Sequence, residues 1–339
     1  MMGTIGVGFP HHLSPSALTT ADAVSIQQNL VHWLDAGATA VCMEVSSHGL
    51  DQDRVNGIQF ESAVFTNLTR DHLDYHGDMA AYAAAKKKLF RMPDLELAVI
   101  NQDDPIGQEI LVETSALKVI SYGVGGGDVS VSKTRFSDSG IHFSWRWKQE
   151  KFSCHANLLG GVNLPNLLAV IATLLGRGIE AGQINAVLPS LRPPPGRMER
   201  VSTQTAGPVV VVDYSHTPDS LERALQSLRP LTRGKLVVVF GCGGDRDPGK
   251  RQLMGRVAAL NADRVIITND NPRGEDPMTI ADMALTGVEE VGGLNRCEVE
   301  LDRALAKAVR RSPRFEPSDQ GLRIRIDGGS VCLFGRTGA

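Results

Sequence analysis

Apolar positions recur along the chain at two spacings, and the switch between them sorts it into strands and helices. From Asp22 to Ala36, Ala23, Ile26, Leu30 and Leu34 fall at helical spacing, and Gly37 stops the run. Ala38–Val45 and Ser62–Leu68 are apolar runs of strand length closed by polar turns. Asp78 is placed to cap a helix whose inward stripe is Tyr82, Leu89 and Phe90. Lys86 stands four residues after Tyr82 and four before Phe90, so it falls on that stripe, whereas Lys88 faces the opposite way. Leu97–Ile100 and Val119–Tyr122 are short strands. Residues 128–158 alternate apolar and polar around Ser137-Asp138-Ser139-Gly140, the pattern of an antiparallel meander, and a helix runs from Asn163 to about Leu175.

Pro193-Pro194-Pro195 interrupts regular structure and reads as a linker. Beyond it strands at Val209–Val212, Lys235–Phe240 and Arg264–Thr268 alternate with helices from about Pro218 and Gly249. That order predicts an α/β fold with a doubly wound parallel sheet. The expected domains are 1–194 and 195–339.

A chain of 339 residues exceeds one ordinary core, which agrees with two domains. Composition changes little: hydrophobic residues are 42%, charged residues 22%, and the net charge is −3. No basic excess suits nucleic acid, and no apolar run is long enough to span a membrane. The first residues, Met1-Met2-Gly3-Thr4-Ile5-Gly6, lack the basic and apolar regions of a signal peptide. Cysteines 42, 154, 242, 297 and 332 are odd in number and show no metal-type spacing, so reduced thiols and a cytoplasmic, monomeric protein are expected.

The candidate chemistry gathers at strand ends. Lys86 needs a reason for facing inward, either snorkelling of its amine to water or a functional site. Upstream, Asp71, His72 and Asp74 form the side-chain set of a phosphate or metal site. Glu44 enters the turn Ser46-Ser47-His48-Gly49, which suits a crevice at the C-terminal end of a parallel strand. Thr19 and Thr20, just before the first helix, read from spacing as plain caps, as do Asn163 and Asn166. Arg197 in isolation reads as one half of a weak surface ion pair. In the second half Asp213–Pro218, Gly241–Asp247 and Asp270–Arg273 close three successive strands and so converge on one crevice. Neither glycine-rich stretch is a known nucleotide loop: no Gly-Lys-Ser/Thr follows residues 3–9, and Arg246 replaces the third glycine of a dinucleotide fingerprint.

Thr66-Asn67-Leu68-Thr69-Arg70-Asp71-His72-Leu73-Asp74-Tyr75-His76-Gly77, together with the Ser46–Arg54 turn, resembles the Mur ligase family, the ATP-dependent amide-forming enzymes of peptidoglycan precursor synthesis. The resemblance covers roughly residues 3–310. It implies a central ATPase-type domain, mostly parallel sheet with a small antiparallel part, followed by a Rossmann-like C-terminal domain. By resemblance Glu44 and His72 hold Mg²⁺, and Lys86 carries a carbamate that helps place the metal. Asn163, Asn166, Arg197 and Asp213 belong to the ATP site. Thr19, Thr20, Ser46, Gln52 and Arg54 lie on the UDP-sugar-peptide, UDP-N-acetylmuramoyl-L-alanyl-D-glutamate. Asp270-Asn271-Pro272-Arg273, with Arg246, marks members that accept meso-diaminopimelate, whose distal carboxylate needs a planar two-donor partner. The implied reaction passes through an acyl phosphate attacked by the incoming amine, with domain closure assembling the site.

Departures from the family are equally definite. Leu18 stands where asparagine is expected. The phosphate loop and uridine domain would lie before residue 1, and from about Ser312 the family pattern is lost, with Cys332–Ala339 in place of a Gly-Lys-Gly-His-Glu segment. The 339 residues alone are therefore expected not to ligate. Two rivals remain: a folylpolyglutamate synthase-like ligase, opposed by the Ser46–Arg54 and Asp270–Arg273 stretches, and a non-catalytic remnant or partner-binding module.

Overall fold

The computed structural model describes residues 1–114, 118–201, 209–303 and 330–334. It opens with a small antiparallel sheet of β1 (Met2–Gly3), β2 (Gly6–Phe9) and β3 (His12–Ser14). Helix α1 (Ala23–Asp35) begins at Asp22, whose carboxylate accepts from the Ser25 N–H. Its buried residues are Ile26 and Trp33, whereas Leu34 is 70% exposed. The expected stripe is thus corrected at both ends, since Ala23 is exposed as well. Ile26, Leu30 and Trp33 form one helical row, and the large indole takes the core place and turns Leu34 outward.

Ala38–Val45 does not form a strand. Among the described residues its ladder partner is Met2 alone: the Met2 N–H donates to Cys42 O at 3.0 Å and the Glu44 N–H to Met2 O at 2.8 Å. An extended run becomes a strand only where a neighbour supplies successive ladder bonds, and this one has a single bridge. The short helix α2 (Ser47–Asp51) follows. Strand β4 (Ser62–Phe65) stops before the expected Leu68. Side chains take over its last backbone groups: Asn101 donates to Thr66 O at 2.6 Å, and Asp104 accepts from the Leu68 N–H at 2.8 Å.

Then come α3 (Leu73–His76), α4 (Met79–Lys87), β5 (Leu97–Asn101), α5 (Pro105–Glu113) and β6 (Lys118–Gly123). The expected meander is β7 (Val129–Ser137), β8 (Gly140–Trp147) and β9 (Glu150–Ala156). Strands β4 to β9 lie in one sheet in sequence order, with β4, β5, β6 and β7 parallel. Helices α6 (Asn163–Gly176) and α7 (Ala181–Val187) precede the proline run.

The rest comprises β10 (Glu199–Arg200), β11 (Val209–Asp213), α8 (Pro218–Leu228), β12 (Leu236–Phe240), α9 (Gly249–Asn261), β13 (Arg264–Ile267), α10 (Pro277–Glu289), β14 (Cys297–Val299) and β15 (Ser330–Phe334). The sheet order is β10-β11-β15-β12-β13-β14. β12, β13 and β14 are mutually parallel, while β10 and β15 run antiparallel to their neighbours, so the sheet is mixed rather than wholly parallel. β12 is buried along its whole length, as expected for a strand covered on both faces. Helices α9 and α10 pack backbone to backbone: a Cβ on Gly255 would meet Ala284 O at 1.8 Å, and one on Gly287 would meet Gln252 O at 1.8 Å.

The chain divides into two compact units. One comprises residues 1–131, 145–151 and 165–184, with a core that includes Ile26, Trp33, Phe65, Phe90 and Ile100. The other comprises residues 132–144, 152–164 and 185–339, with a core built on β11, β12, β13 and helices α8 to α10. No helix among the described residues is long and apolar enough to cross a membrane.

Candidate functional site

In the first unit, α4 presents Lys86 as the periodicity predicts. Asp78 caps the helix by accepting from the Ala81 N–H at 2.8 Å, which sets its phase. Lys86 is half-buried, with its amine over the Tyr82 ring at 5.3 Å. Burial pulls its pKa down from the usual lysine value, and the carboxylates of Asp104 and Asp71 oppose that only in part. Lys88 is exposed and pairs with Asp51 at 3.0 Å. Snorkelling therefore describes Lys88 better than Lys86.

His72 caps α3 in the left-handed region at φ 55°, a conformation that histidine tolerates better than most residues. Its Nε2 lies 3.6 Å from Asp71 Oδ2. Glu44 is exposed, and its Oε2 accepts from the Thr4 N–H at 3.1 Å and the Thr4 hydroxyl at 2.6 Å. Among the described residues no three His, Cys, Asp or Glu side chains converge on one metal position. Mg²⁺ takes oxygen donors, usually one or two carboxylates with waters and phosphate supplying the rest, and the exposed Glu44 carboxylate is a donor of that kind. The bound ion would neutralise phosphate charge.

Hydrogen bonds tie most of the predicted sugar-peptide residues together, and only Ser46 caps a helix through its side chain, Gln52 closing the same helix through its backbone. Thr20 is buried: its hydroxyl donates to Glu44 O at 2.9 Å and accepts from the Ser46 N–H at 2.8 Å, which latches the Glu44–Ser46 turn to the start of α1. Thr19 shares a 3.0 Å hydroxyl contact with Thr4. Asp22, not either threonine, caps α1, so the capping reading of this pair is corrected. The Ser46 hydroxyl accepts from the Gly49 N–H at 3.0 Å. Arg54 donates to Thr20 O at 2.7 Å and to the Gln52 amide oxygen at 2.9 Å. The Gln52 amide nitrogen in turn donates to the Tyr75 hydroxyl at 3.1 Å, which donates to Asp51 Oδ2 at 3.1 Å.

Several of these partners went unread in the sequence. Tyr75 fixes Gln52, and His76 Nε2 lies 2.9 Å from the Ser47 hydroxyl. The rings of His48 and Tyr75 lie 4.2 Å apart, centre to centre. The signal for Tyr75 and His76 was their place beside His72; their partners lie more than twenty residues away. Leu18 and Trp33 line a hollow with Phe9, His12 and His32 that contains no predicted site residue.

The nucleotide candidates divide. Asn163 is buried and donates to Leu159 O at 2.8 Å, so its amide holds its own turn, while Asn166 is exposed on the same helix. In the second unit the Asp213 carboxylate accepts from the Met198 N–H at 2.9 Å and the Ser215 N–H at 3.0 Å. Arg197 stacks its guanidinium over the Tyr214 ring at 4.6 Å. A cation on an aromatic face, not a surface ion pair, is the arrangement that holds this arginine beside Asp213.

The turns after β12 and β13 interlock. The Gly244 N–H donates to Asn271 O at 3.1 Å, the Gly274 N–H to Asp245 Oδ2 at 3.1 Å, and Arg273 donates to Gly244 O. A Cβ at Gly244 would meet Pro272 O at 1.8 Å, so only glycine allows this approach. Asp245, Asn271 and Arg273 all have positive φ, at 49°, 47° and 51°. For arginine that costs about 1–2 kcal/mol and needs the surrounding bonds to hold it. Arg246 and Arg273 are exposed, and Asp270 pairs with Arg303 at 2.9 Å.

Residues 1–174 match the Mur ligase middle domain, and residues 196–320 match the Mur ligase glutamate ligase domain, which runs past the expected limit near 310. A UDP-N-acetylmuramoyl-L-alanyl-D-glutamate–2,6-diaminopimelate ligase of Ectopseudomonas mendocina is 49% identical over 282 residues, 83% of this chain and 58% of the relative. The enzyme of the same name from Chromobacterium violaceum is 45% identical over 310 residues, 90% of this chain and 62% of the relative. The chain thus spans about three fifths of the length of these relatives. A solved structure of a ligase of that name superposes with TM-score 0.65 at 37% identity, covering 94% of this chain and 65% of the other. A folylpolyglutamate synthase of Mycobacterium tuberculosis reaches TM-score 0.65 at 22% identity, over 85% of this chain and 64% of the other, which shows a shared fold alone. By domain matches over most of its length and by identity to these relatives, the chain belongs to the Mur ligase family.

Proposed function

We propose that this chain is the middle and C-terminal part of an ATP- and Mg²⁺-dependent ligase that adds meso-diaminopimelate to UDP-N-acetylmuramoyl-L-alanyl-D-glutamate. The observation that carries the reading is the interlocked pair of turns bearing Arg246 and Asp270–Arg273, with both arginine residues exposed and one guanidinium nitrogen of Arg273 held by Gly244 O. An arginine fork supplies two parallel donors to a carboxylate, and the distal carboxylate is what separates diaminopimelate from lysine.

Residues 1–194 form the nucleotide-handling domain in this reading and residues 195–339 the amino-acid domain, with the boundary at Pro193–Pro195. Arg197 and Asp213 handle ATP, and Thr19, Thr20, Ser46, Gln52 and Arg54 shape the sugar-peptide side. A lysine of lowered pKa offers the neutral amine that carbamate formation requires, so in this reading Lys86 is the group that becomes anionic. The nucleotide-linked substrates make the protein cytoplasmic, and nothing in the reaction requires more than a monomer.

The test is incorporation of labelled amino acid by a protein containing this chain. Meso-diaminopimelate is accepted and L-lysine refused. Arg273→Ala raises the diaminopimelate KM far more than the ATP KM, by the on the order of 2–5 kcal/mol that a charged, hydrogen-bonded partner carries. Lys86→Ala abolishes turnover, and short carboxylic acids restore part of it. Equal use of L-lysine, or an unchanged diaminopimelate KM in Arg273→Ala, would overturn the assignment.

A further inference from the structure

The strongest feature that this reading leaves unused is Arg251, on the first turn of α9. Its side chain is 1% exposed, in a fold where arginine is ordinarily on the surface. The guanidinium grips Glu275 with both ends, at 2.8 and 2.7 Å. It also donates to Gly243 O at 3.3 Å and lies 3.3 Å from the Met283 sulfur on α10. Glu275 accepts in addition from the Asp245 N–H at 2.5 Å. One cation on α9 therefore touches the turn after β12, the turn after β13, and helix α10.

This placement has a geometric consequence. Asp270–Arg273 ends one residue before Gly274, and Glu275 is the next residue after that. Arg246 follows Asp245, whose N–H Glu275 holds. The contact of Gly244 with Pro272 leaves the two turns no slack, so their spacing is set where Glu275 is anchored. A lysine would place one point charge in this position and lose the two-pronged grip.

We propose that Arg251, through Glu275, is a positioning residue that sets the spacing of Arg246 and Arg273 and thereby the preference for an amino acid with a distal carboxylate. The proposal rests on the diaminopimelate reading and deepens it. Arg251 touches no substrate, and its effect reaches the ligand through the turns.

The experiment measures meso-diaminopimelate and L-lysine binding to the 339-residue chain by calorimetry, with thermal unfolding as the control for folding. Wild type binds meso-diaminopimelate at least tenfold more tightly than L-lysine. Arg251→Lys lowers meso-diaminopimelate affinity at least tenfold and leaves L-lysine within twofold, because lysine lacks the group that the turns recognise. Amide exchange at residues 243–246 and 271–275 speeds up in the same variant. Should Arg251→Lys fail to fold, Glu275→Gln decides, since it keeps a hydrogen-bonding partner of the same shape; it weakens meso-diaminopimelate binding several-fold with L-lysine unchanged. A folded variant that binds meso-diaminopimelate like wild type, or loses both ligands equally, overturns the positioning role while the diaminopimelate reading stands. A wild type without preference between the two amino acids overturns that reading and this inference together.

Discussion

Lys86 and Arg251 are both cations on the inward side of a helix, and the fold treats them in opposite ways. Arg251 has acceptors at both terminal nitrogens, its buried Nε alone lacking one, and its pKa is held above the usual arginine value chiefly by the Glu275 carboxylate. Lys86 has an aromatic ring and two more distant carboxylates, and burial lowers its pKa. A buried cation with its acceptors in place organises structure. One left short of them is destabilised as a charge. The pairing around each residue, not its burial, sets the direction of its pKa shift.

The largest effect should come from breaking the satisfied side. Arg251→Met leaves Glu275 with the Asp245 N–H alone and removes the donor to Gly243 O. The loss should be about 2–3 kcal/mol, below the ~3–5 kcal/mol of a fully buried pair, because the Glu275 side chain keeps 32% of its surface in water. Urea unfolding measures it, and an unchanged midpoint would contradict the anchoring role. The same pair has an acid limb. Arg251 and the Asp245 N–H lower the Glu275 pKa from 4.5 to about 2. A depressed carboxylate contributes stability that is complete above the unfolded value and lost as pH falls from 4.5 towards about 2. Glu275→Gln should flatten the fall of melting temperature across that window.

The asymmetry was only half legible in the sequence. The position of Lys86 followed from local rules: Asp78 caps, and residues four apart share a face, so three turns of helix fixed the answer. Arg251 sits in Gly249-Lys250-Arg251-Gln252, which reads as an ordinary solvated helix start, and its partner is 24 residues away. Thr20 likewise looks like a cap, whereas its hydroxyl serves a turn 24 residues on. The Ala38–Val45 run carries strand residues, yet strand formation depends on a neighbouring ladder that no local pattern encodes. Alternating β and α segments, the meander and the glycines of the Gly241–Gly244 turn were readable because period and backbone freedom are properties of the segment itself.

Lys86, with fewer acceptors around its amine, should respond with the opposite sign. Lys86→Met keeps the apolar stem and removes the charge that burial disfavours, so it should stabilise the chain by about 1 kcal/mol, or ~2–4 °C in melting temperature. The pH dependence follows from the direction of the shift. A lysine with a lowered folded pKa penalises folding while it is protonated, and the penalty fades as pH rises from the folded pKa towards 10.5. The gap between Lys86→Met and wild type should therefore shrink at alkaline pH. A variant less stable than wild type at pH 7 would mean that the Lys86 charge is satisfied after all.

The finest test uses the neighbouring lysine. Lys87 follows Lys86 by one residue, points to a different face, and bridges Glu109 at 2.6 Å and Glu113 at 2.8 Å on α5. Its pKa is raised by these two carboxylates, the reverse of Lys86. Glu113 also pairs with Arg91 at 2.7 Å, so the site is a small surface network. Glu109 is 56% exposed, and solvent screens most of the attraction. Lys87→Met should thus cost only ~0.5 kcal/mol in low salt, and the cost should fade as ionic strength rises and the Debye length shortens. Two adjacent methionine substitutions would then move stability in opposite directions, one independent of salt and one sensitive to it. Equal and salt-independent effects at both positions would show that the helix, not the pairing of each charge, sets the response.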